Sequence, residues 1–126
     1  MSTLTDAIDV LKDHAALKAI IDERVYTRLP RNLDDAVPFV RLIGPVGGPP
    51  FQDGDGHVVA TMERWRVVCW AHDESELDTM VVPVQDALLT LWGQYEVSFV
   101  GDPRGDIDPT TGLAWRYQDV RFIGCV

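Results

Sequence analysis

Asp53-Gly54-Asp55-Gly56-His57 has the alternating carboxylates that open a calcium-binding loop, where hard oxygen ligands recur at every second position. Counted from Asp53, however, the sixth position is Val58 where the turn needs glycine, and the twelfth is Arg64 where a bidentate glutamate belongs. A second acidic set, Asp102, Asp106 and Asp108, lies among Gly101, Pro103, Gly105, Pro109 and Gly112, a composition that reads as a solvated turn. His14, His57 and His72 occupy three separate segments with no HExxH pattern. Cys69 and Cys125 each sit in an apolar, strand-like segment without CxxC spacing, and read as buried small hydrophobes. Ser2, Ser75 and Ser98 lack a GxSxG elbow, and the glycine-rich stretch 44–56 is broken by prolines and holds no phosphate-binding lysine. The expectation is a non-enzyme with no catalytic residue, cofactor or metal. An acidic pocket built from Glu63, Asp119 or Asp102 is the remaining enzymatic alternative.

Charge narrows the partners. The 126 residues carry 20 Asp and Glu against 11 Lys and Arg, a formal net charge of −9. Sequence-independent DNA binding depends on Lys and Arg displacing counterions from phosphates, so an acidic chain is not expected to bind nucleic acid. Trp65, Trp70, Trp92 and Trp115 are then better suited to core and subunit contacts than to base stacking. No apolar run approaches the roughly 18 to 20 residues that span a bilayer, and Met1 to Asp6 lacks the basic and apolar regions of a signal peptide. No membrane association is expected, and folding should occur in a cytoplasm.

The elements that position these residues are legible from periodicity. Thr3 or Thr5 is a candidate N-cap for an amphipathic helix through Leu4, Ala7, Ile8 and Leu11, with a break near Asp13 and a second helical segment through Ile21. Residues 24–28 and 38–43 read as strands, and 62–71 as a central strand with apolar and arginine residues on both faces. Leu77, Met80, Val81, Val84, Leu88 and Leu91 fall at helical spacing in 73–92. Pro83 lies inside that stretch, so a kink or two shorter helices are allowed for. Residues 95–100 and 114–126 complete the strands. The expected fold is one α+β domain over 1–126, with a mostly antiparallel or mixed sheet and helices packed on one face. A helical crossover from the central strand would place 95–100 parallel to it.

Several segments in this order carry a resemblance. They are Asp13-His14-Ala15-Ala16-Leu17-Lys18-Ala19-Ile20-Ile21, then Glu23-Arg24-Val25-Tyr26 leading to Leu29-Pro30, then Val37-Pro38-Phe39-Val40. After a polar gap follow Arg64-Trp65-Arg66-Val67-Val68-Cys69-Trp70-Ala71, Ser75-Glu76-Leu77 and a closing Val120-Arg121-Phe122. Over nearly its whole length the chain resembles the siphophage tail-terminator, or tail-completion, family. The resemblance implies a structural subunit that forms a six-membered ring on the last ring of the tail tube. That ring would end tube polymerisation and present a surface for head attachment. The implied partners are further copies of the chain, the tail tube protein and the head-tail connector protein, and the implied location is the head-proximal end of the virion tail. A connector or neck protein is the alternative role.

The stretches 44–57 and 101–112 depart from short members of that family. Their glycine, proline and charged residues mark them as long mobile loops, and such loops in a small domain are usually functional or disordered. Phe51, Asp53, Asp55, Arg104, Asp106 and Asp108 are therefore the candidate protein contacts. On this reading a short Gly/Ser link in place of residues 102–108 should harm assembly while leaving the melting temperature little changed.

Overall fold

A computed structural model describes residues 3–47, 51–52, 54–56 and 58–125. Helices α1 (Thr3–Asp13) and α2 (Ala15–Ile21) are followed by strand β1 (Val25–Tyr26), the short helix α3 (Leu33–Ala36) and strand β2 (Phe39–Gly47). Then come β3 (Phe51–Gln52), β4 (Val58–Ala71), α4 (Glu74–Leu89), a 3-10 turn at Thr90–Gly93, β5 (Glu96–Ile107) and β6 (Ala114–Cys125). The strand order is β1-β2-β4-β6-β5, with β3 pairing β4 outside this path. All pairs are antiparallel except β1 with β2. This is the expected α+β class.

Helix boundaries follow side-chain caps. His14 separates α1 from α2 because its ring nitrogen accepts from Leu17 N, 3.4 Å away, while its backbone stays extended. Asp73 accepts from Glu76 N at 2.9 Å, and the Glu76 carboxylate returns to His72 N at 3.0 Å, a reciprocal brace at the start of α4. Thr5 lies inside α1 and is not its cap; the side chain of Thr3 falls outside the described residues. Helix α4 is one assigned helix running through Pro83, neither split nor ended there. The polar stretch before β2 also yields α3, capped by Asn32, which periodicity over four residues could not announce.

Leu77, Met80, Val84, Ala87 and Leu88 on α4 meet Trp65, Val67, Cys69 and Ala71 of β4 and Val120 and Phe122 of β6 in the main core. Leu11, Leu17 and Ile21 bring α1 and α2 into the same layer. Asp6 is buried beside them, and the Tyr95 hydroxyl donates to its carboxylate at 2.8 Å, tying α1 to the entry of β5. Helices α1, α2 and α4 therefore cover one face of the sheet, while α3 packs with Phe39 and Trp70 on the other face at its β2 end.

Three expectations need correction. Among the described residues of 44–57, Gly44–Gly47 continue β2, Phe51–Gln52 form β3 and 54–56 make a turn, and β4 starts at Val58 instead of Met62. Likewise β5 does not stop at Val100, because residues 104–107 pair with 114–117 of β6 after a register shift. Gly101, at φ 72°, supplies the left-handed residue at this bulge, and glycine takes that conformation without a Cβ penalty. Glycines and prolines here bend strands whose pairing resumes on either side. A Gly/Ser link in place of residues 102–108 would delete part of the β5–β6 ladder, so it would lower stability. Thirdly, β5 runs parallel to β4 but is not paired with it, since β6 lies between them and pairs antiparallel with both.

Candidate protein-docking face

Because side chains alternate along a strand, directly opposed residues share a face. The register collects four rows on the side away from α4. Phe39, Trp70, Trp115 and Asp106 form one row, and Arg41, Val68, Tyr117 and Arg104 the next. Ile43, Arg66, Asp119 and Val100 form the third, and Arg64, Arg121 and Ser98 the last. Five of the nine arginines thus gather on one face of an acidic chain.

Asp119 anchors the middle of this face. It is only 7% exposed, and Arg64 donates to it from Nε at 3.0 Å and Nη2 at 2.6 Å. Arg66 donates from Nε at 2.9 Å and lies over the Tyr117 ring, 4.3 Å from its centroid. The Arg66 hydrogen bond, followed by that from Arg64, holds the Asp119 carboxyl below the usual carboxylate range against the opposing effect of burial. The same bond raises Arg66. A carboxylate held this way is a poor proton acceptor. Glu63 accepts from Trp65 Nε1 at 3.3 Å, whereas Asp102 and Asp119 share a cleft with Arg64, Arg66 and Arg104.

The aromatic residues form a continuous strip. Tyr26 meets Phe39 edge-on at 5.5 Å, Phe39 stacks on Trp70 at 6.1 Å, Trp70 faces Trp115 at 6.4 Å, and Trp115 stacks on Tyr117 at 6.0 Å. At one end α3 and Leu113 bury Phe39 in a second small core. Beyond it Arg41, Ile43, Arg66, Val68, Trp70, Trp115 and Tyr117 line an open groove of about 270 Å³. Arg41 Nε is buried there without a hydrogen-bond partner among the described residues. A buried donor of this kind costs free energy until an acceptor arrives.

Of the six contact residues read from the sequence, the four with described side chains do not form one cluster. Arg104 and Asp106 lie on the docking face, in β5 and not in a loop. Asp108 closes the β5–β6 turn: Thr111 Oγ1 donates to its carboxylate at 2.6 Å, which lowers its pKa, and its backbone bonds Leu113 and Gly112. Asp55 is in an exposed turn. Phe51 is in β3, opposite Ala60, with its side chain outside the described residues, as is all of Asp53. Trp115 was legible as a core or subunit contact, whereas Arg41 and Tyr117 were not. The signal for Tyr117 is the alternation Trp115-x-Tyr117-x-Asp119-x-Arg121, which gains meaning only once β6 is known to lie against β4.

Other reactive groups lie apart. His14 caps α2, His72 pairs with Glu76 at 2.9 Å, and His57 falls outside the described residues. Among the described residues no group of three or more His, Cys, Asp and Glu could hold a metal ion. No helix among them is long and apolar enough to cross a membrane. Burial pushes the Cys69 thiol up to about 12, so the thiolate needed for reaction is scarce at neutral pH. In a Cys125→Ser background, Cys69 is expected to resist a disulfide reagent at pH 8 until denaturant is added. Rapid labelling of the folded protein would contradict this burial.

The sheet is thus covered by α1, α2 and α4 on one face and carries an aromatic and arginine-rich set of side chains on the other. No protein-family model and no curated protein matches the chain. Among solved structures, a chain of the virion of a native gene transfer agent particle is similar, with TM-score 0.68 and 14% identity over 99% of this chain and 96% of that one. The gp17 protein of bacteriophage SPP1 is also similar, with TM-score 0.58 and 16% identity over 94% and 86%. At these identities the likeness establishes a shared fold along nearly the full length of each chain.

Proposed function

We propose that this chain is a non-catalytic structural subunit of a phage-type tail. Six copies form a ring on the last ring of the tail tube, end its polymerisation and present the surface to which the head attaches. Its place is the head-proximal end of the tail, after assembly in the host cytoplasm. The observation carrying this reading is the end-to-end fold likeness to a chain of a virion particle, at TM-score 0.68. The likeness to gp17 of a bacteriophage and the bare sheet face support it. Further copies of the chain, the tail tube protein and the head-tail connector protein are the proposed partners. Phe51, Asp53, Asp55, Arg104, Asp106 and Asp108 are the proposed contacts, of which Arg104 and Asp106 share the sheet face.

Electron microscopy of particles made without this protein tests the assignment. Overlong tails are the expected result. Tails of normal length that fail to join heads would reassign the chain to the connector, and normal infectious particles would remove it from the structural set.

A further inference from the structure

The bare sheet face and the outer face of α4 lie on opposite sides of the molecule and are complementary. Between Glu74 and Leu89 the helix has no lysine or arginine, but it carries Glu74, Glu76, Asp78 and Asp86. Val82 and Leu89 are exposed on it at 58% and 42%, and Trp92 just beyond it at 59%. Val82, Asp86 and Leu89 are spaced three and four apart, with Asp78 one turn before Val82, so they share one stripe of the helix. The sheet offers the reverse: guanidinium groups at Arg41, Arg66 and Arg104 around the apolar edges of Trp70, Trp115 and Ile43.

We propose that the sheet face of one copy docks on the outer face of α4 of the next copy. Acidic side chains of that helix would pair with the arginines of the sheet face, and Val82 and Leu89 would cover the tryptophan strip. This contact joins two different patches, so it is heterologous, and such contacts propagate into a ring when the rotation between copies closes. The inference rests on the ring reading above and supplies its subunit interface. Single-stranded nucleic acid is a poorer occupant. The aromatic ring faces stack on one another instead of standing free for bases, Asp119 occupies the centre of the face, and the chain is acidic.

Two complementary variants test the contact in the full chain. Arg41→Glu disables the sheet face, and Val82→Arg with Leu89→Arg disables the helix face. Each alone is expected to weaken self-association about tenfold or more, the scale of one lost hot spot, as read by sedimentation velocity. An equimolar mixture should form a dimer and stop there, because only one intact pair of faces remains. If Arg41→Glu melts well below wild type, Arg121→Glu, on an exposed position of the same face, replaces it. Should each variant alone assemble like wild type, the interface lies elsewhere and the inference falls while the ring reading stands. Two monomeric variants whose mixture stays monomeric would also overturn it, since the two faces would not then meet. Wild type that remains monomeric at every concentration and salt level would remove the ring reading together with the interface. A single-stranded DNA oligonucleotide bound by wild type and not by Arg41→Glu would reassign the face to nucleic acid.

Discussion

Gly105→Val is expected to lower the melting temperature by about 10 °C or more, roughly 3 kcal/mol at the 3–5 °C per kcal/mol of a domain this size. A Cβ at this position would lie 1.9 Å from Trp115 O and 2.7 Å from the Arg116 Cα, both backbone atoms that no side-chain rotation can clear. β5 would have to move away from β6, weakening the pairing of residues 104–107 with 114–117. Each lost ladder bond removes about 1 kcal/mol net, and three or four lie within reach of the displacement. Gly105→Ala should be destabilising for the same reason, since the first added carbon already makes the clash. Thermal denaturation followed by circular dichroism measures both variants. A shift within about 2 °C, the range of an ordinary surface substitution, would mean that the strands do not approach so closely here. Loss of the 104–107 pairing would also move Arg104 and Asp106 off the docking face, coupling this stability defect to assembly.

Asp119→Ala is expected to cost about 2 kcal/mol near neutral pH. Removing one partner of a fully buried ion pair costs about 3–5 kcal/mol, and solvent access to the arginines reduces that figure. Here the Arg64 and Arg66 side chains are 42% and 46% exposed, while Asp119 is nearly enclosed. The direction with pH follows from the lowered carboxyl. Its stabilisation is complete above the unfolded-state value, near pH 4, and is lost as pH falls through the still lower folded-state value. The gap in melting temperature between wild type and Asp119→Asn should therefore be widest at pH 6–7 and narrow steadily below about pH 4. Melting both proteins from pH 7 to pH 2 gives that difference directly. A gap that does not change with pH would assign the loss to packing instead of charge.

The parts of this fold that local pattern could reveal are those whose cause is local. Of the six residues that periodicity marked in 73–92, Leu77, Met80, Val84, Leu88 and Leu91 are buried and Val81 is half-buried, because a helix needs only neighbours three and four residues away to define its face. The break at His14 was legible for a similar reason, as was burial of Cys69. The tendency of β4 to be a central strand followed from apolar side chains on both faces, and β2 and β6 do flank it.

Glycine and proline misled for the converse reason. They mark places where the backbone leaves regular geometry, and composition cannot distinguish a loop from a bulge inside a continuing strand. Gly44 and Pro45 lie at one register shift, Gly101 to Pro103 at another, and in both cases the partner strand carries the pairing through. Of the candidate contacts with described side chains, Arg104 and Asp106 lie on the sheet face, Asp108 closes the β5–β6 turn and Asp55 lies in another turn.

By itself the sequence determined an acidic α+β chain, its longer helices and the burial of the apolar residues on their inner faces. Only the tertiary structure decided that β6 lies between β4 and β5. That placement sets Trp115 against Trp70 and Asp119 beside Arg64 and Arg66, across more than forty residues of chain. Strand order and register are properties of pairings between distant segments, and a period of two within one strand says which residues share a face but not what stands beside them.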